Sequence, residues 1–161
     1  MAGTFEHASA TTAAITEDQI EYIVAYVQNR ILKYQSDTTQ LFYSIDKPET
    51  AANLTYIGFA SYATYLASVC IKTHSLAPRF AEAATKCMRS ALRYLMNYSE
   101  DLQKFLQSQE VIHGLPVIFD RDGAAIFQKT FLQIDGISIF LLCLCQLSTA
   151  GLEICQTQEA V

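Results

Sequence analysis

Apolar side chains recur along this chain with a period near 3.6, and the phase of that pattern marks out helices. Ile20, Ile23, Val24, Val27, Ile31 and Tyr34 fall at i, i+3, i+4 and i+7 spacings, which predicts a one-sided helix over 17–34. Thr16-Glu-Asp-Gln19 stands before it as a capping box, the hydroxyl and the amide satisfying each other's backbone donors. Pro78 suits a first helical turn. Behind it Phe80, Ala84, Cys87, Met88, Ala91, Leu92 and Leu95 share one face of a helix over 78–97.

Two other segments are apolar on nearly all sides. One is predicted over 50–72, and no charged residue lies between Asn53 and Ile71. The second runs over 134–149, and from Thr130 to Leu152 its one charge is Asp135. Gly151 is placed to end it. Ser99-Glu-Asp-Leu102 opens a short polar helix to Gln109, which makes five helices in all. Segments wetted on one side alternate with segments dry all round, the pattern of an all-α array in which inner helices are wrapped by outer ones. The inner two are expected to be fully buried.

Between these helices lie two irregular stretches. Gln35 to Pro48 is polar but holds the apolar patch Leu41-Phe42-Tyr43. Around the turn residues Asp120-Arg-Asp-Gly123, Val117-Ile-Phe119 and Ala125-Ile-Phe127 predict a short hairpin or extended loop. Residues 1–15 form a small, polar tail without periodicity, expected to be disordered. They contain no basic segment of the kind that opens a secretory leader.

Composition narrows the possibilities. Apolar residues make up 51% of the chain and charged residues 17%, below the usual quarter, so much of the surface is buried internally or meets a partner. A net charge of −5 with scattered Lys and Arg argues against nucleic acid, which needs a basic face. The run from Asn53 to Ile71 approaches the length of a membrane span. Its three tyrosines and several hydroxyls favour a helix buried within a globular fold instead. Five cysteines without a leader read as reduced thiols of a cytosolic protein.

Candidate chemistry is sparse. Cys143 and Cys145 lie two residues apart, about 200° around a helix, so they do not form a chelating pair. Asp120-x-Asp122-Gly123 lacks the further oxygen ligands of a calcium loop and fits a turn. His7, His74 and His113 have no partner spacing, and no phosphate loop or nucleophile motif is present. Catalytic residues, metal ligands and cofactors are therefore all expected to be absent. Asp135 remains, at the mouth of an apolar helix where a carboxylate must be solvated or hydrogen-bonded. It suits an N-terminal cap, favoured by the helix dipole, or the polar floor of a site shared with Gln133.

Three separated blocks resemble a known family. Ile31-Leu-Lys-Tyr-Gln-Ser36 with Thr38-Thr39-x-Leu41-Phe42, then Lys86-Cys-Met-Arg89, then Leu132-Gln-Ile-Asp135-x-x-Ser138-x-x-Leu141-Leu142-x-Leu144 with Gly151-Leu152, resemble in register the opening of the phosphorylase kinase regulatory subunits, the beta type more than the alpha. The resemblance covers residues 20–160. It implies that residues 16–161 are the N-terminal portion of a domain similar to the glucoamylase-type hydrolases of glycoside hydrolase family 15, an (α/α)6 barrel. Twelve helices of about 11–12 residues and their loops of about 2–8 need more than this chain, so the barrel is expected to be incomplete. By the same resemblance Gln133 and Asp135 line a vestigial sugar pocket, with Asn53 where a second acid is expected. The hydrolases' general acid lies in a Trp-Glu segment, and this chain contains no tryptophan.

The resemblance implies a non-catalytic role in glycogen metabolism. Its partners would be a kinase catalytic subunit, another regulatory subunit and calmodulin, in a hetero-oligomer that restrains and scaffolds the kinase. It implies a cytoplasmic location, with a prenylated full-length form able to reach the cytoplasmic face of the cell membrane. The C-terminal Gln158-Glu-Ala-Val161 has no Cys where a prenylation box needs one. The alternatives are a fragment of a glucoamylase-type α-glucan hydrolase, and a catalytically dead relic that still binds glycan.

Overall fold

The computed structural model describes residues 14–44, 52–97, 118–120, 122–124 and 134–154. Among them are four α-helices: α1 (Glu17–Arg30), α2 (Leu54–Cys70), α3 (Ala77–Met96) and α4 (Ile134–Thr149). Two two-residue strands, β1 (Ala52–Asn53) and β2 (Ile118–Phe119), pair antiparallel with Ala52 opposite Phe119 and Asn53 opposite Ile118. The fold is all-α. The predicted polar helix over 99–109 and most of the N-terminal tail fall outside the described residues.

Helix α1 starts where its capping box lies. The Gln19 amide N–H donates to Thr16 Oγ1 at 3.3 Å and the Thr16 N–H to Gln19 Oε1 at 2.9 Å. It ends earlier than the apolar spacing predicts, because Ile31 leaves helical geometry at φ −121°. The chain then tightens into a 3₁₀ turn, Leu32–Tyr34, with Tyr34 N–H donating to the Ile31 carbonyl at 3.0 Å. A three-residue turn keeps nearly the same face inward, so the spacing alone does not reveal the change of helix type.

At the other boundaries local chemistry decides. Asn53 caps α2, its Oδ1 accepting from Thr55 N–H at 2.8 Å. Pro78 sits in the first turn of α3. Gly151, at φ +89°, ends α4: its N–H donates to the Ser148 carbonyl and Leu152 N–H to the Leu147 carbonyl, the paired bonds of a Schellman motif.

Helix α2 packs mainly against α3 and α4, with α1 against it as well. Helix α3 is one-sided as predicted, burying Phe80, Ala83, Ala84, Cys87, Met88 and Ala91. Helix α4 contributes buried Phe140, Cys143 and Leu147. Gly58 lets α2 and α4 come close, since a Cβ there would lie 3.3 Å from Phe140 Cα. The two apolar helices are not buried all round, however. Phe59, Leu66 and Val69 on α2, and Leu141 and Leu142 on α4, are exposed. High hydrophobicity marks both helices but does not fix how many of their sides are covered. Among the described residues no helix is long and apolar enough to cross a membrane.

The first arm of the predicted hairpin or extended loop finds a distant partner. Ile118 and Phe119 pair with Ala52 and Asn53, far away in sequence, and 125–127 lies outside the described residues. The turn between them is as expected. Asp120 Oδ1 accepts from Asp122 N–H at 2.9 Å and Ala124 N–H at 2.8 Å, and Gly123 adopts φ +83°. This carboxylate organises its own loop, as an Asx turn does.

Candidate functional site

The first two blocks that carry the family resemblance meet at α3, while the helix of the third, α4, packs on α2. In the first, Phe42 pairs with Gln35 as an isolated antiparallel bridge, and Ser36 Oγ accepts from the N–H groups of Thr38 and Thr39. Leu41 and Phe42 are completely buried. Gln35 Nε2 donates to the Gln40 carbonyl at 3.0 Å and to the Ala83 carbonyl on α3 at 3.1 Å. Phe42 N–H donates to Cys87 Sγ at 3.3 Å. That bond joins the first block to the second, Lys86-Cys-Met-Arg89. From the second, the Arg89 guanidinium donates to the Glu153 carbonyl, just beyond Gly151-Leu152 of the third. Tyr43 extends the junction: its hydroxyl donates to the Asp120 carbonyl at 3.2 Å and lies 3.1 Å from Thr39 Oγ1.

These contacts make the junction a tie, not a reaction centre. Burial pushes the Cys87 thiol from the ordinary 9.0 up to about 12, against the hydrogen bond it accepts from Phe42. It is thus a protonated core residue rather than a nucleophile. Burial also raises Tyr43, opposed by its hydrogen bond to Thr39. Both groups bind protons more tightly folded than unfolded. Stability is therefore complete below pH 9 and falls as the pH climbs towards 12, because the unfolded chain loses these protons first. Urea denaturation at pH 8 and pH 10.5 should show a lower midpoint at the higher pH, and Cys87→Ala should shrink the difference. A pH-independent midpoint would contradict the buried thiol.

Of the three sugar-pocket candidates, Asn53 stands at the head of α2 and Asp135 is the second residue of α4, a helix that packs on α2. Gln133 lies outside the described residues, and side chains of α4 are described from Gly136 onward. Asn53 Oδ1 is engaged as the α2 cap, and an amide has no titrating proton to give to a reaction. Cys143 is buried and Cys145 exposed, on different faces as their spacing requires. Among the described residues no group of three His, Cys, Asp or Glu could hold a metal ion.

One feature escaped sequence reasoning. Lys33, Gln35, Ser36, Asp37, Tyr43 and Asp122 line an open polar cleft of about 440 Å³. It forms where the 35–43 loop meets the Asp120–Gly123 turn, a meeting of segments that share no local pattern.

What the described residues define is an all-α scaffold whose most distinctive residues join distant segments. The same stretch of chain is what it shares with known proteins. A probable phosphorylase b kinase regulatory subunit beta of Drosophila melanogaster is 29% identical over an alignment of 158 residues that covers 91% of this chain. A probable phosphorylase b kinase regulatory subunit alpha of the same organism is 32% identical over an alignment of 83 residues that covers 45% of this chain. Similarity to the beta type is therefore the more extensive. The chain spans 14% of the length of the beta relative and 6% of the alpha relative. No protein-family model matches the chain.

Proposed function

We propose that this chain is a non-catalytic regulatory component of a phosphorylase kinase complex, acting in glycogen metabolism. The observation that carries the reading is the alignment with a beta regulatory subunit along 91% of the chain. The junction supports it, because residues behind the resemblance, Gln35, Phe42 and Cys87, tie the loop 35–43 to α3, and Arg89 ties α3 to the segment just after α4. In this reading the chain works in the cytoplasm, beside a kinase catalytic subunit, a second regulatory subunit and calmodulin. It restrains and scaffolds the kinase. Its fold is the first portion of a glucoamylase-like barrel, in which Gln133, Asp135 and Asn53 mark a sugar pocket that has lost its chemistry.

The test is kinetic. Purified chain added to an isolated phosphorylase kinase catalytic subunit should lower phosphate transfer to phosphorylase b in the absence of calcium. Unchanged transfer at saturating chain would contradict the reading.

A further inference from the structure

The turn between α2 and α3 is organised by His74. Its N–H donates to the Ile71 carbonyl at 2.7 Å, and its carbonyl accepts from Ala77 N–H at 3.1 Å. The ring reaches forward as well, Nδ1 accepting from Leu76 N–H at 3.2 Å. Leu76 is the N-cap of α3 and has no capping side chain of its own. The far edge of the ring faces α1, with Nε2 3.8 Å from Glu21 Oε1. Among the described residues this is the one basic–acidic pair that joins two elements, since Lys86 and Glu82 both belong to α3.

These contacts fix where the ring carries its proton. A nitrogen that accepts a hydrogen bond has none, so the neutral ring is protonated on Nε2, towards Glu21. A second proton, on Nδ1, removes the lone pair that holds Leu76 N–H and sets two N–H groups against each other. It also makes the ring a cation. The N-terminus of α3 carries partial positive charge and repels that cation, whereas the Glu21 carboxylate attracts it. At 3.8 Å the pair is too long for a hydrogen bond. A charged ring that has let go of Leu76 can close the gap to a charge-assisted one.

We propose that His74 is a pH-operated latch between α3 and α1. Neutral, it holds the start of α3; protonated, it releases Leu76 N–H and pairs with Glu21. Histidine is the side chain whose charge ordinarily changes between pH 5 and 8. The ring is half-buried and Glu21 exposed, so solvent protons reach the site. The other titratable or charged groups at this corner are Asp18 and Tyr22 beside Glu21 on α1, Cys70 at the end of α2, Lys72 in the turn, and Arg79 in the first turn of α3. Among the described residues the ring's partners are Leu76 N–H and Glu21.

Nuclear magnetic resonance of the full chain tests the latch. At pH 8, ring nitrogen–proton correlations should show His74 protonated on Nε2 alone. Between pH 8 and pH 5 the hydrogen-exchange protection of the Leu76 amide should fall by about 2–12-fold, the equivalent of one ordinary hydrogen bond. His74→Asn keeps an acceptor that does not titrate, so its Leu76 protection should be equal at the two pH values. Glu21→Gln, at an exposed position, tests the other arm even if His74→Asn loses its fold: it should lower the urea midpoint more at pH 5 than at pH 8. A ring protonated on Nδ1 at pH 8 would overturn the proposal. So would Leu76 protection that ignores pH, an equal fall in His74→Asn, or a Glu21→Gln effect that is the same at both pH values. Neither arm involves kinase binding, so the latch and the regulatory reading can fail separately.

Discussion

Replacing Phe42 with alanine should lower the unfolding free energy by about 3–5 kcal/mol, the range for emptying a buried aromatic site. Phe42 is fully buried, and its backbone N–H is held by Cys87 Sγ. The loop that carries it is fastened to α3 a second time through Gln35. The loop therefore has little freedom to collapse into the cavity, which keeps the cost high. Lys72→Ala, in the exposed turn after α2, provides the contrast and should stay within about 0.5 kcal/mol. Urea denaturation followed by circular dichroism measures both. A loss of under about 1 kcal/mol at Phe42 would mean that the 35–43 loop is not part of the core.

Gly123→Ala is the second large effect, with an expected loss of about 2–4 kcal/mol from two sources. The position has φ +83°, a left-handed conformation costing an ordinary residue about 1–2 kcal/mol. A Cβ there would also lie 2.4 Å from the Tyr94 ring, and overpacking costs about 1–3 kcal/mol. Tyr94 is half-buried and its ring rests on buried Phe119 at a centroid distance of 5.9 Å, so moving aside costs it that contact and sets the size of the steric part. A double-mutant cycle separates the two terms. In a Tyr94→Leu background, Gly123→Ala should keep the backbone penalty and lose the steric one. An identical cost in both backgrounds would remove the clash from the explanation.

Features fixed by local chemistry could be read from the sequence. The Thr16–Gln19 capping box, Pro78 and Gly151 each act within a few residues of themselves, and α1, α3 and α4 begin or end at them. Features fixed by distant partners could not. The 35–43 loop takes its shape from Ala83 and Cys87, and β2 pairs with a strand more than sixty residues earlier. Neither partner leaves a mark on the local pattern. Burial of α2 was legible only as an average: the absence of charge announces an apolar helix, while the positions of α1, α3 and α4 decide that Phe59, Leu66 and Val69 remain outside.

The candidate site follows the same division. Asn53 is a residue type favoured at helix N-caps, but a helix predicted to begin at 50 hid that role until the start of α2 was fixed at Leu54. Asp135 falls in the first turn of α4, where the helix predicted over 134–149 puts it. The resemblance could be read because its three blocks are distinctive in type and order. That the first two meet at α3 and the helix of the third packs on α2 follows from the fold alone.

The proposed place of this chain in a kinase assembly is tested most directly by co-purification. A tagged full chain, expressed together with a phosphorylase kinase catalytic subunit and calmodulin, should retain the kinase subunit through affinity capture and gel filtration as one hetero-oligomeric peak. Recovery of the tagged chain free of kinase and calmodulin would contradict the account.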